Sequence, residues 1–95
     1  MTKKPHTGKR KRTRFSLNAP DASEVLLAGD FNQWNGKKHP MKKTGTATWE
    51  KILILAPGTY EYKYIVDGTW QEDPSGLKTG LNRFGTVNNI VTIPD

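Results

Sequence analysis

The sequence predicts an all-β domain made of short antiparallel strands. Runs rich in β-branched and aromatic residues recur along the chain, and Gly, Pro, Asn or Asp separates each run from the next. In addition, no window keeps the apolar period of an amphipathic helix over more than a turn or two. A length of 95 residues suffices for one domain with a single core. An antiparallel sandwich or a small barrel would satisfy this pattern.

Six strands are expected, separated by recognisable turns. They lie near Thr13–Leu17, Glu24–Gly29, Pro40–Lys43, Thr46–Leu55, Tyr60–Ile65 and Val87–Ile93. Ala56–Thr59 suits a turn in which Pro presets φ and Gly takes a positive φ. Val66–Thr69 carries the Asp-Gly pair of a two-residue hairpin. The segment Pro74–Arg83 is rich in Gly and has no apolar period, so we expect a loop there.

Alternation assigns faces to the two clearest strands. Tyr60, Tyr62 and Tyr64 fall on one side of their strand and are expected to face the core, which leaves Lys63 on the other side. Without further information, an outward lysine on a strand is most simply a solvated surface residue. Trp49 lies within the amphipathic strand before it, so we expect its ring to be core.

Charge is unevenly distributed, although the net charge is +6. Residues 1–14 hold seven basic side chains and no acidic one, so the remainder has 15 − 7 = 8 basic against nine acidic residues. We expect residues 1–12 to be a disordered basic leader and residues 13–95 to form the folded module. A leader of this kind could also bind nucleic acid or an acidic partner.

Several classes of site are excluded by composition. With no cysteine, the chain has no disulfide or thiolate metal site, and a cytoplasmic location is expected. No apolar run approaches the length of a membrane span, and no apolar segment follows the basic N-terminus as in a secretory signal. His6 and His39 are isolated from other ligand types, so we expect no metal and no cofactor.

Two tryptophans stand out because polar turn residues surround them. Trp34 lies in DFNQWNGKK and Trp70 in VDGTWQEDP, where exposed indoles would mark a binding surface. The alternative is that a loop folds over either ring and buries it. An indole can cover the apolar face of a pyranose ring while nearby polar side chains bind its hydroxyls. Single-stranded nucleic acid also stacks on aromatic rings, but it requires a basic groove, whereas Glu72 and Asp73 adjoin Trp70. Sugar is therefore the better ligand class.

Three motifs carry a family resemblance. VLLAGDFNQW, GTYEYKYIVDGTWQEDP and FGTVNNIV together resemble the carbohydrate-binding modules of family 48, and the likeness covers residues 14–94. That family includes the glycogen-binding domain of the AMP-activated protein kinase beta subunit and the N-terminal domains of isoamylases and branching enzymes. The resemblance implies an immunoglobulin-like antiparallel β-sandwich that binds α-1,4-linked glucan, either a polysaccharide or a malto-oligosaccharide.

The resemblance also implies roles for six residues. Trp34 and Trp70 match the two tryptophans that stack on glucose rings, and Lys63 matches the lysine that reaches sugar hydroxyls. Asn88 matches an amide that does likewise, and Thr86 matches a threonine at the edge of the site. Phe84 falls where the kinase subunit has a leucine that pushes through the curve of the glucan. The loop before Phe84 is one residue longer than in that relative.

An enzyme is not expected. Glycoside hydrolysis needs two carboxylates placed across one bond, whereas Glu72 and Asp73 are sequence neighbours and Asp30 and Asp67 resemble turn residues. A glucan-binding module is the favoured interpretation, and it could place a glycogen-metabolising enzyme or another protein on the polymer. The alternatives are a non-binding structural domain related to branching or debranching enzymes, and a binder of nucleic acid or acidic partners through the leader. A membrane partner is not expected.

Overall fold

The computed structural model describes residues 9–75, 78–81 and 85–95, in which strands are the main secondary structure. The strands are β1 (Lys11–Asn18), β2 (Val25–Gly29), β3 (Lys42–Thr44), β4 (Thr48–Leu55), β5 (Gly58–Val66), β6 (Thr69–Gln71), β7 (Lys78–Leu81) and β8 (Val87–Ile93). Two single-turn 3₁₀ helices, Asp30–Asn32 and Gly36–Lys38, connect β2 to β3. The predicted all-β class is confirmed.

The strands form two antiparallel sheets. The smaller sheet has the order β1-β4-β3, and the larger has the order β2-β5-β8-β7. The short strand β6 also joins the larger sheet, where it pairs with Tyr64–Val66 of β5. Because β2 pairs with the same three residues, β6 lies on the side of β5 that β8 occupies farther along the strand. Strand β5 is therefore the centre of the larger sheet.

The core lies between the two sheets and takes side chains from both. Its buried apolar residues are Phe15, Leu17, Val25, Leu27, Met41, Trp49, Leu53, Leu55, Tyr62, Tyr64 and Ile93. Tyr62 and Tyr64 are buried as predicted, and Tyr60 packs against the cluster as a partly buried residue. Trp49 is core too, and its Nε1 donates to the carbonyl of Ala19 at 2.9 Å. Two facing sheets with a shared apolar core make the domain a β-sandwich.

Some strand boundaries differ from the prediction. Strand β1 begins at Lys11, and Lys11 and Arg12 pair with β4, although both were assigned to the leader. Residues 1–8 of that leader lie outside the described residues. The predicted loop at Pro74–Arg83 was wrong in part, because Lys78–Leu81 pairs with β8. Pairing along an available strand supplies the stability that the local sequence lacks.

No helix in the described part of the chain is long and apolar enough to cross a bilayer.

A buried carboxylate fastens the segment after β6 to the sandwich. Asp73 is buried, and one of its carboxylate oxygens accepts from the hydroxyls of Tyr62 at 2.8 Å and Tyr64 at 3.1 Å. The other accepts from the backbone N–H and the hydroxyl of Ser75. The backbone N–H of Asp73 donates to Asn89. Burial raises the pKa of Tyr62 and Tyr64, and the nearby Asp73 carboxylate raises it further. Both hydroxyls therefore remain donors at physiological pH.

We expect Asp73→Ala to lower the free energy of unfolding by roughly 2–4 kcal/mol, because it removes the acceptor shared by two buried hydroxyls. Glu72→Ala is the matched control, since Glu72 is the exposed neighbouring carboxylate, and it should change the value by less than about 0.5 kcal/mol. Equilibrium unfolding in urea measures both. Equal effects of the two substitutions would contradict a structural role for Asp73.

Candidate functional site

The candidate residues of β5 and β6 lie on the outer face of the larger sheet, away from the core. In β5, buried Tyr62 and Tyr64 alternate with Lys63, so the Lys63 side chain projects from the opposite face. Trp70 of β6 pairs with Ile65 and shares the face of Lys63. The outward orientation predicted for Lys63 is confirmed. Lys63 sits at the point of β5 where pairing with β8 has ended and pairing with β6 has not begun.

Asn88 lies on this face as well, at the start of β8. Its neighbour Asn89 pairs with Tyr62, so Asn88 comes beside Lys63. Asn88 is only 6% exposed, and its Nδ2 donates to Oε1 of Glu61 at 2.9 Å. Thr86 is exposed and immediately precedes β8. Asn88 is therefore hydrogen-bonded on this face to Glu61, two residues before Lys63.

Phe84 lies outside the described residues.

The two tryptophans form an adjacent pair. The ring centroids of Trp34 and Trp70 are 6.2 Å apart, and the ring planes are inclined by 53°. Trp70 is 51% exposed, as expected for a surface ring. Trp34 was expected to be exposed too, but it is partly buried. One physical reason is its contact with the Trp70 ring, and a second is the hydrogen bond from its Nε1 to Oδ1 of Asp30 at 3.1 Å.

The segment that carries Trp34 folds back over the outer face of β2 and β5. Gly36 is the point of closest approach, since a Cβ there would lie 3.0 Å from Leu26 Cβ and 3.0 Å from Ile65 Cδ1. A larger residue at this position would push the segment away from the sheet. The close packing of Gly36 therefore holds the Trp34 segment down.

Asn32 is the buried hydrogen-bonding centre of this segment. Its Oδ1 accepts from the backbone N–H of Gly29 at 3.0 Å, and its Nδ2 donates to the carbonyl of Leu27 at 2.9 Å. These two backbone contacts fix the orientation of the amide. The same Nδ2 lies 2.8 Å from Nδ1 of His39. Asn32 thereby joins both ends of the segment to β2.

Trp34 is presented by an unusual backbone. Gln33 has φ 56° and Trp34 has φ 61°, so two consecutive residues that are not glycine are left-handed. The backbone N–H of Trp34 closes the turn by donating to the carbonyl of Gly29 at 2.9 Å. Such conformations are costly and persist where surrounding contacts over-determine them, commonly at functional sites. The contacts around Trp34 maintain that conformation.

Sequence reasoning missed two acidic residues at this site. Asp30 was interpreted as a turn residue, yet its carboxylate contacts the Trp34 indole and the backbone N–H of Glu61. Glu61 was given no role from the sequence, and its carboxylate accepts from the amide of Asn88. An acceptor four residues before an exposed tryptophan is the one signal that could have identified Asp30.

The protonation state of His39 affects the hydrogen bonding of this segment, because its Nδ1 contacts Asn32. Burial lowers the pKa of His39, and the charges of Lys51 and Lys38 lower it further. Its Nδ1 must accept from the Asn32 amide, so the ring is neutral with its proton on Nε2. Protonation would convert that acceptor into a donor and break the contact.

We expect the free energy of unfolding to fall as the pH is lowered below about 6.5, the pKa of histidine in an unfolded chain. The folded pKa is the lower one, so the unfolded state binds the proton first and gains stability as the pH drops. Urea unfolding between pH 8 and pH 5 measures this for the protein and for His39→Asn, which retains an acceptor. Parallel pH profiles would contradict the role of His39.

The chain is similar to a known family and to several individual proteins. The family model described as the glycogen recognition site of AMP-activated protein kinase matches residues 12–95. The chain is 39% identical over 82 residues to Protein FLOURY ENDOSPERM 6, chloroplastic, of Oryza sativa subsp. japonica. It is 43% identical over 82 residues to Protein PTST homolog 2, chloroplastic, of Arabidopsis thaliana. It is 40% identical over 70 residues to the human 5'-AMP-activated protein kinase subunit beta-1.

The chain spans only part of these relatives. The match covers 86% of this chain but 15% of each plant protein. For the human kinase subunit it covers 74% of this chain and 24% of the relative.

Proposed function

The chain belongs to the family that contains the glycogen recognition site of AMP-activated protein kinase, a family of non-catalytic carbohydrate-binding modules, and we propose that it binds a curved α-1,4-glucan on the outer face of its larger sheet. The observation that carries this proposal is the contact of Trp34 with Trp70 beside Lys63. Glycogen-type and starch-type polymers both present such chains.

The inclined indole pair suits a curved ligand. Successive glucose units of an α-1,4 chain turn progressively, so neighbouring apolar faces are tilted relative to each other. Two ring planes inclined by 53° offer two such faces at once. A flat β-1,4 chain, whose neighbouring units lie in one ribbon, would contact one ring and leave the other uncovered.

Polar side chains around the pair are proposed to bind hydroxyls. Lys63 supplies three N–H donors on the same face as Trp70. Asn88, which is hydrogen-bonded to Glu61, is proposed to bind a hydroxyl next to Lys63. Thr86 is proposed to bind one at the edge of the site. Phe84 remains a proposed apolar contact on the strength of its motif.

The affinity should be modest. Each indole covers on the order of 100 Å² of combined apolar surface, worth roughly 2–3 kcal/mol at about 25 cal/mol per Å². Hydroxyl contacts exchange with water and add about 1 kcal/mol each, while association costs several kcal/mol. A Kd between about 1 µM and 1 mM for an oligosaccharide follows. On a polymer, avidity would strengthen retention.

We also propose that the chain is not itself an enzyme. Two of the carboxylates near the pair hold other groups, since Asp30 binds Trp34 and the β5 backbone and Glu61 binds Asn88. Asp73 is buried and accepts hydrogen bonds from two tyrosine hydroxyls. None of these three carboxylates is placed with a second one across a glycosidic bond on the platform, the surface formed by Trp34, Trp70 and Lys63.

A role in carrying a protein to glucan is a further part of the proposal. The relatives are several times longer than the matched segment, so in them the module accompanies other chain segments. A glycogen-metabolising enzyme or another protein would be the cargo. We also propose a cytoplasmic location, and cell fractionation that finds the protein in a plastid would contradict it.

We expect Trp70→Ala to weaken maltoheptaose binding by about 2 kcal/mol, or roughly thirtyfold in Kd, because it removes one stacking surface. Trp34→Ala should act similarly. Native gel electrophoresis with and without glycogen, and calorimetry with maltoheptaose, measure the effect.

Ile54→Ala is the matched control for this test. Ile54 is 51% exposed, as Trp70 is, but lies on β4 of the other sheet. It should leave retention in the glycogen gel unchanged. If the unsubstituted protein is not retarded by glycogen and does not bind maltoheptaose, the non-binding structural alternative replaces the proposal.

A further inference from the structure

We propose that Asp30 is a positioning residue that sets the plane of the Trp34 ring relative to Trp70. This inference rests on the proposed function, because it concerns the geometry of the same platform. Asp30 does not need to contact the glucan in order to act. Its effect would come through the angle and separation of the two indoles.

Both carboxylate oxygens of Asp30 are used, and they point to different elements. Oδ1 accepts from Nε1 of Trp34 at 3.1 Å, and Oδ2 accepts from the backbone N–H of Glu61 at 2.7 Å. Hydrogen bonds to an ionised acceptor are stronger than neutral ones. Asp30 is thus a bridge between the Trp34 side chain and the backbone of β5.

The position of Asp30 at the end of the β2–β5 ladder explains why its side chain, and not the backbone of β2, binds the Glu61 N–H. The β2–β5 ladder ends at the pair Gly29 and Tyr62, so Asp30 and Glu61 would be the next pair. The chain instead enters a 3₁₀ turn at Asp30 and leaves the ladder. The carboxylate takes over as acceptor for the Glu61 N–H, which would otherwise lose its partner on that side.

Strand β5 becomes the common reference for both rings. Trp70 is tied to β5 by its ladder pairing with Ile65. Trp34 is tied to the same strand through Asp30 and Glu61. Lys63 lies midway between Glu61 and Ile65, so the polar and stacking groups share one frame.

The backbone under Trp34 cannot set this geometry cheaply. The left-handed conformations of Gln33 and Trp34 are disfavoured for residues with a Cβ. Without the Asp30 bridge, Gln33 and Trp34 would be less restrained in their left-handed conformations. The indole would also gain rotamer freedom, which ligand binding would then have to remove at a cost in affinity. Asp30 also occupies the indole N–H, so Trp34 offers its ring face to a ligand and leaves hydroxyl recognition to other residues.

The test measures ring geometry and glucan affinity separately. In far-UV circular dichroism, two coupled indoles give an exciton couplet, which is identified as the signal lost in Trp34→Phe. We expect Asp30→Ala to diminish that couplet without any ligand present and to raise the Kd for maltoheptaose about tenfold. Asp30→Asn keeps one acceptor oxygen, so both values should recover in part.

Leu55→Val is the control for a general loss of stability. Leu55 is a core residue of β4 in the smaller sheet, so this truncation should lower the thermal midpoint. It should leave the couplet and the Kd unchanged.

Each other outcome overturns the inference in a different way. A couplet and a Kd that Asp30→Ala leaves intact would show that Asp30 positions nothing. A weakened Kd with an unchanged couplet would make Asp30 a direct glucan contact, and a lost couplet with an unchanged Kd would make the ring geometry irrelevant to binding. If neither Asp30 variant folds, Asp30 is simply structural. Failure of the proposed function is distinct, because the unsubstituted protein would then show the couplet but no binding.

Discussion

Side chains alternate between the two faces of strand β5, and this alternation determines how the core and the outer face of the larger sheet are built. One face carries Tyr62 and Tyr64 into the core, and the other carries Glu61, Lys63 and Ile65 outward. A shift of one residue in register would exchange these faces and bury a lysine in place of a tyrosine. Since both β6 and the Trp34 segment are fastened to β5, the same alternation that builds the core also assembles the platform.

The parts of the fold that could be predicted from sequence are those set by local pattern. The hairpin at Asp67 and Gly68 was predicted because its two-residue turn needs a positive φ at both positions and an Asp-Gly pair tolerates it. The two residues have φ 48° and 85°. The tyrosine alternation gave the orientation of Lys63 in advance. Asp73 could not be interpreted in the same way, because its partners Tyr62 and Tyr64 reach it only after the sheet has formed. Strand β7 likewise exists because β8 offers it a ladder.

The candidate site shows the same division between local and tertiary information. The polar surroundings of the two tryptophans predicted a binding surface, but their 6.2 Å separation is produced by long-range contacts. The packing of Gly36 on Leu26 and Ile65 is one, and the Asp30 bridge is the other. Acids in turns are common, so nothing in the local sequence separates a supporting carboxylate from an ordinary turn former. That is why Trp34 was expected to be more exposed than it is.

A platform made of two ring faces and a few donors is suited to holding a polymer weakly at many points. The proposed function requires that the two inclined indoles bind one curved chain together. Titration of tryptophan fluorescence with maltoheptaose and with cellohexaose, a β-1,4 chain, tests this claim most directly. We expect a saturable change with maltoheptaose and little change with cellohexaose at the same concentrations. Equal responses to the curved and the flat chain would contradict it.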